Sequence, residues 1–213
     1  MSVRDWLADL FELEGRLANW SARLPDSFVY SKRNLYEQLV IKRQPVYIFV
    51  HALYHQCRLV LHSSLVPHFS GVHLNERFHL HERLSPEATN LSARIALKSA
   101  QAISELGADL LALEWDTSQI APFVGYCMYV SASIHVTLLS STDPTLIALT
   151  RANLISNLKI LSSMKLYWTN LERLVGYNMF PFGSIIADAK SGCESTSFTV
   201  HSCLEALNHP GGE

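Results

Sequence analysis

The sequence predicts an all-α protein, an irregular multi-helix bundle of about five or six helices. Three observations predict it. Apolar residues recur at steps of three and four along several long runs, and the start signals Ser85-Pro86-Glu87 and Asp143-Pro144 open two of those runs. No run alternates apolar and polar residues in the way a half-buried strand requires. Hydrophobic residues make up 48% of the 213 positions and charged residues only 17%, which is too apolar for a disordered chain and enough for a core. With so little charge, part of the apolar surface is expected to meet a covering.

The first helix is expected over Val3–Arg23. Trp6, Leu10, Leu13, Leu17, Trp20 and Leu24 form one stripe, and Asp5, Asp9, Glu12, Arg16 and Arg23 lie mostly off it. Pro25 ends it, and Asp26–Arg43 is a polar connector with a short helix around Leu35–Ile41. The next helix is Pro45–Leu65, with its proline in the first turn, where a missing N–H costs nothing. Val46, Val50, Leu53, Cys57 and Val60 form its apolar stripe. His51, His55, Arg58 and His62 fall within an arc of about 60° on the other side. Ile48, Ala52 and Leu59 fill the flank, so this helix is expected to sit centrally with one polar seam.

Residues 67–86 read as a His-rich loop. Ser85 then caps a long helix whose packed stripe is Leu91, Ile95, Ala102, Leu106 and Leu110 and whose wet stripe is Arg94, Lys98, Gln101 and Glu105. Gly107 lowers helix propensity and predicts a fray or kink there. Pro122–Ser140 and Thr145–Met164 follow, the latter with Ile147, Leu154, Ile155, Leu158 and Leu161 inward. A further helical segment is expected over Tyr167–Met179. Residues 1–179 thus read as one helical domain and 180–213 as a weakly structured tail.

Several functions are excluded or disfavoured by residue type. Lys and Arg number 17 against 19 Asp and Glu, for a net charge of -2, so the concentrated positive charge that grips phosphate is missing. Neither GxGxxG nor a Gly-Lys-Ser/Thr phosphate loop occurs. Cys57, Cys127, Cys193 and Cys203 contain no CxxC pair, which argues against a zinc ribbon and for a reducing compartment. The acidic start MSVRDWLADLFELEG is no secretory signal. Ser131 and Ser133 stand outside any GxSxG setting, so they read as packing residues. Asp109, Glu114 and Asp116 read as a solvated helix end rather than a calcium loop. Taken together, the chain is expected to be no enzyme, with no catalytic, cofactor-binding or metal residue assigned.

Two alternatives deserve a test. Ile120–Leu139 carries no Asp, Glu, Lys or Arg, which allows a small membrane protein with a span near 120–139, although Pro122, Gly125, Ser131 and His135 dilute it. The face formed by His51, His55 and His62 allows a helical protein that binds a metal or a small ligand. HExxH is not present, since Ala52 follows His51, and further ligands would have to come from His73, Glu76, His79 or His81.

Three segments carry a family resemblance. VYIFVHALYHQCRLVLHSSLVPHF (Val46–Phe69), APFVGYCMYVSASIHV (Ala121–Val136) and NLKILSSMKLYWTNLERL (Asn157–Leu174) resemble, in order, helices of the middle homology region of fungal zinc-cluster transcription factors. They span Val46–Leu174. The resemblance implies a non-enzymatic regulatory domain in the nucleus, acting through intramolecular, inducer or protein contacts. Its partners would be other protein surfaces, or parts of a parent factor that this chain lacks, with a small-molecule inducer among the allowed ones. Membrane association and direct nucleic-acid binding are not implied. Under the resemblance His55, Cys57 and His62 lie in a structural helix, and Tyr126, Cys127, Tyr167, Trp168 and Glu172 match packing positions. DNA binding and zinc belong to the parent family's six-cysteine cluster, and no cysteine precedes Cys57 here. His62-Ser63-Ser64 replaces the family's His-Arg-Pro.

Overall fold

Apolar periodicity and proline start signals place six α-helices among the described residues: α1 Val3–Ala22, α2 Lys32–Val40, α3 Gln44–Ser63, α4 Pro86–Ala112, α5 Pro122–Thr137 and α6 Pro144–Met164. The computed structural model describes residues 3–66, 69, 84–139 and 141–168. No strand occurs among them, and the all-α class is as predicted. The helix expected over Tyr167–Met179 lies outside the described residues beyond Trp168, as do residues 180–213 and most of 67–86.

Local chemistry explains the helix ends. Ser31, Ser85 and Asp143 accept hydrogen bonds from the backbone N–H groups of Asn34 (3.0 Å), Ala88 (3.3 Å) and Thr145 (2.9 Å), satisfying donors that have no partner inside the helix. Two helices stop by the same device. Lys42 (φ 58) and Glu114 (φ 49) adopt the left-handed conformation just past α2 and α4. The N–H groups of Arg43 and Trp115 then reach back to the carbonyls of Gln38 (2.9 Å) and Leu110 (3.2 Å). This is the Schellman stop, here built on residues that pay for the left-handed backbone where glycine would not.

The chain divides into two compact units, Met1–Ser99 and Ala100–Glu213. In the first, α1 and α2 pack on α3. Its core includes Leu10, Leu35, Tyr47, Ile48, Ala52 and Leu59. In the second, α5 and α6 form the main packed pair. Val124, Met128, Ile134, Ile160, Leu161 and Met164 are fully buried there.

Four expectations are corrected. In α3 the flank and the histidine edge are buried (Ile48, His51, Ala52, Leu59, His62), whereas Val46, Leu53 and Val60 of the expected stripe are 67%, 40% and 52% exposed. In α1 and α6 the stripes are right in phase but too wide. Leu10 is buried while Leu13 and Trp20 are exposed, and Leu154 and Leu161 are buried while Ile155 is 52% exposed. Gly107 neither frays nor ends α4, which runs on to Ala112. A Cβ at Gly107 would meet Met128 Sδ at 3.2 Å and Ile160 Cγ1 at 3.5 Å, so the glycine admits close packing. Asp109 is buried rather than solvated.

Candidate functional site

The polar seam of α3 comes together in the first unit with a residue far away in sequence. Arg58 donates from Nε and Nη2 to Glu14 of α1, at 2.9 Å and 2.5 Å from Oε1. Its guanidinium also lies 5.6 Å over the Tyr54 ring. Glu14 thus ties α1 to α3 through a forked, charge-assisted pair. His62 is fully buried, with Nδ1 3.2 Å from Ser92 Oγ and Nε2 3.3 Å from Glu14 Oε2. Burial holds its pKa below the ordinary value and outweighs the nearby carboxylate. Arg58 already neutralises that carboxylate, so His62 is an uncharged ring beside an ion pair.

His51 is buried and its Nε2 stands 3.0 Å from the Phe28 carbonyl, so the neutral ring donates there. Burial lowers its pKa, and the carbonyl only partly opposes the shift. His55 packs edge-on to Tyr54 at 4.9 Å. Burial first, then the charge of Arg58, push its pKa down to about 4. The three histidines of the metal reading therefore have separate tasks. Among the described residues no three His, Cys, Asp or Glu side chains converge on a point where a metal ion could sit. His73, Glu76, His79 and His81 lie outside the described residues.

The second unit buries a polar cluster without charge. Ser104 and Ser131 both donate to the Ala100 carbonyl, at 3.0 Å and 2.7 Å. With their protons committed, the two hydroxyl oxygens accept from the Asn157 amide at 3.0 Å and 3.1 Å. His135 Nε2 lies 3.0 Å from Ser104 Oγ and joins the cluster there. Burial pushes the His135 pKa down to about 4, so the ring is neutral near pH 7. Although Ser104 touches His135, all four side chains are buried, which closes the hydroxyl to a substrate. A nucleophile needs the opposite arrangement. The cluster is structural glue between α4, α5 and α6.

The membrane reading is also corrected. The helix occupies only Pro122–Thr137, 16 residues, because Ala121 is extended and the chain turns at Leu138. That is about 24 Å of helix, shorter than a bilayer core of about 30 Å. Among the described residues no helix is long and apolar enough to cross a membrane.

One cleft stands out in the first unit. It has a volume of about 370 Å³ and lies where Leu24, Phe28, Val46 and Val50 leave carbon surface uncovered beside Arg43. Sequence reading named Val46 and Val50 as core and passed over the cleft. It also passed over Glu14, Ser104 and Asn157. Each of these had a signal, namely a polar residue set on or beside an apolar stripe. Glu14 follows Leu10 by one turn, and Asn157 stands between Leu154 and Leu161.

The chain is homologous over most of its length to Zn(2)-C6 fungal-type transcription factors of Fusarium oxysporum f. sp. lycopersici. It is 27% identical to FTF1a over 178 residues, 81% of this chain and 16% of the relative. It is 31% identical to FTF1c over 154 residues, 70% of this chain and 15% of the relative. Identity to FTF2 is 28% over 152 residues, 71% of this chain and 13% of the relative. The chain therefore spans less than a fifth of the length of these relatives. No family model and no solved structure matches it. The homology agrees with the family resemblance read from the sequence.

Proposed function

We propose that this chain is a regulatory helical region of the fungal transcription-factor type, working in the nucleus by contact with other protein surfaces. The observation that carries the reading is the homology to FTF1a across 81% of the chain. The exposed Val46, Leu53 and Val60 edge of α3 supports the contact part, since apolar surface of this kind is what partners bury. A net charge of -2 supports action through protein rather than through DNA phosphates.

A reporter assay tests it. The chain is fused to a heterologous DNA-binding domain, alone and together with a constitutive activation domain, and expressed in a fungal host. The expected result is a several-fold change in reporter output in at least one context. Leu53→Asp with Val60→Asp should abolish that change while circular dichroism stays unaltered. Output equal to that of the parent fusions in both contexts overturns the reading. A fluorescent fusion excluded from nuclei overturns the localisation.

A further inference from the structure

We propose that the cleft at the start of α3 binds a small amphiphile, a compact apolar body carrying one carboxylate that meets Arg43. Binding of such a ligand stands on the cleft itself, while its role as an effector rests on the regulatory function proposed above.

The cleft is built for an apolar body. Its volume of about 370 Å³ falls within the range of small-molecule pockets, about 300–1,000 Å³. Phe28 and Val46 on its walls are 44% and 67% exposed, carbon surface that a bound chain or ring removes from water. The floor is preformed. Tyr47 donates its hydroxyl proton to the Val29 carbonyl at 2.9 Å and accepts from the Ser31 N–H at 3.3 Å. His51 holds the Phe28 carbonyl at 3.0 Å. The Tyr30 and Tyr47 rings stack with centroids 6.0 Å apart, and the His51 ring meets both edge-on at 5.3 Å and 4.5 Å. These bonds pin the turn at Asp26–Phe28 to α3. They also engage the Tyr47 hydroxyl and His51 Nε2, so neither of these atoms asks for a polar ligand group.

The charge at the cleft has one sign. Arg43 is its only charged lining residue, and no acidic side chain lines it. Among the described residues Arg43 has no ion pair. A guanidinium presents two parallel N–H groups that fit a carboxylate. The Schellman turn fixes its backbone, through Arg43 N–H to the Gln38 carbonyl at 2.9 Å. Arg43 also opens α3, whose first turn has neither a side-chain cap nor an acidic residue, and this adds positive potential on the same side. A shallower neighbouring cleft shares Leu24 and is lined by Arg16 and Arg23, again with no acidic residue. An anionic head is therefore attracted from both sides and a cationic head is repelled.

Calorimetric titration of the full chain with sodium octanoate, 1-octanol and octylammonium chloride tests this, because the three share a body and differ in the head. The expected result is saturable one-site binding of octanoate, at least ten-fold tighter than octylammonium. Arg43→Gln should bring octanoate down to the level of octanol. Val46→Glu, at a position exposed enough to keep the fold, should weaken octanoate at least ten-fold and octanol less. Circular dichroism of both variants checks folding. Equal affinity for the three heads, non-saturable uptake, or octanoate binding unchanged in Arg43→Gln overturns the proposal. None of these results alters the reporter output that tests the regulatory reading, so the two fail separately.

Discussion

The two units solve one problem in different ways. Each buries histidine and other polar side chains in a largely apolar interior, but the first gathers its histidine beside an ion pair and the second gathers its own into a cluster of neutral groups. In the first unit Glu14 and Arg58 neutralise each other at a partly wet edge, with side chains 14% and 22% exposed, and His62 sits beside them uncharged. In the second, Ser104, Ser131, His135 and Asn157 hydrogen-bond one another and the Ala100 carbonyl in a buried cluster. The difference teaches where each unit is adaptable. A charge pair at an edge tolerates local movement and responds to salt. A buried network of neutral groups depends on every member being present. The preformed cleft lies in the first unit, beside the more forgiving kind of interior.

Four measurements break or sharpen that comparison. The largest effect is expected from Asn157→Leu, which takes the amide protons from two buried hydroxyls at once. It should cost about 3 kcal/mol in urea unfolding and be insensitive to salt. A loss below 1 kcal/mol would mean that the second unit does not rely on its network.

Acid comes next. His55 and His135 have folded pKa values of about 4, below the value near 6.5 of an unfolded histidine. The unfolded chain therefore takes up protons first on acidification. The stability these rings contribute is fully present above the unfolded value and is lost as pH falls toward about 4. Between pH 7.5 and pH 5 each ring should remove about 2 kcal/mol. His135→Gln, which keeps an N–H near Ser104, should flatten the second unit's share and leave that of His55. A pH profile unchanged by the substitution would show that His135 is not dry.

Glu14→Ala should cost about 1–2 kcal/mol by leaving Arg58 without its partner, and the loss should shrink in 1 M NaCl. A loss independent of salt would erase the contrast between the units. The smallest effect is a gain. Lys42→Gly and Glu114→Gly relieve the left-handed backbone at the two helix stops, and each should stabilise by up to about 1 kcal/mol. Lys42→Gly also tests the cleft, since a Schellman turn that survives the change keeps Arg43 in place and leaves octanoate affinity as it was.

Much of the fold was legible in particular residues. Ser85 and Asp143 announced α4 and α6 because a cap and a proline act within one turn and need no distant partner. Leu10, Leu154 and Leu161 fell on the buried side of their helices as their spacing required. The histidine edge of α3 was legible as one seam. The tasks of its members were not, because His51 answers to Phe28, 23 positions away, and Arg58 to Glu14, 44 positions away. Gly107 was misread for the same reason. Propensity counts the cost of a glycine to its own helix, while its benefit here lies in Met128 and Ile160.

Sequence alone determined the helical class, the positions of the helices and most of their ends, since hydrogen bonding and capping within a helix are local. Only the tertiary structure decided which side of α3 is inside. That helix is apolar round most of its circumference, so periodicity offers no single inward direction. The choice falls to the surfaces that meet it: Glu14 and Phe28 bind the histidine edge, and Val46, Leu53 and Val60 are left facing out.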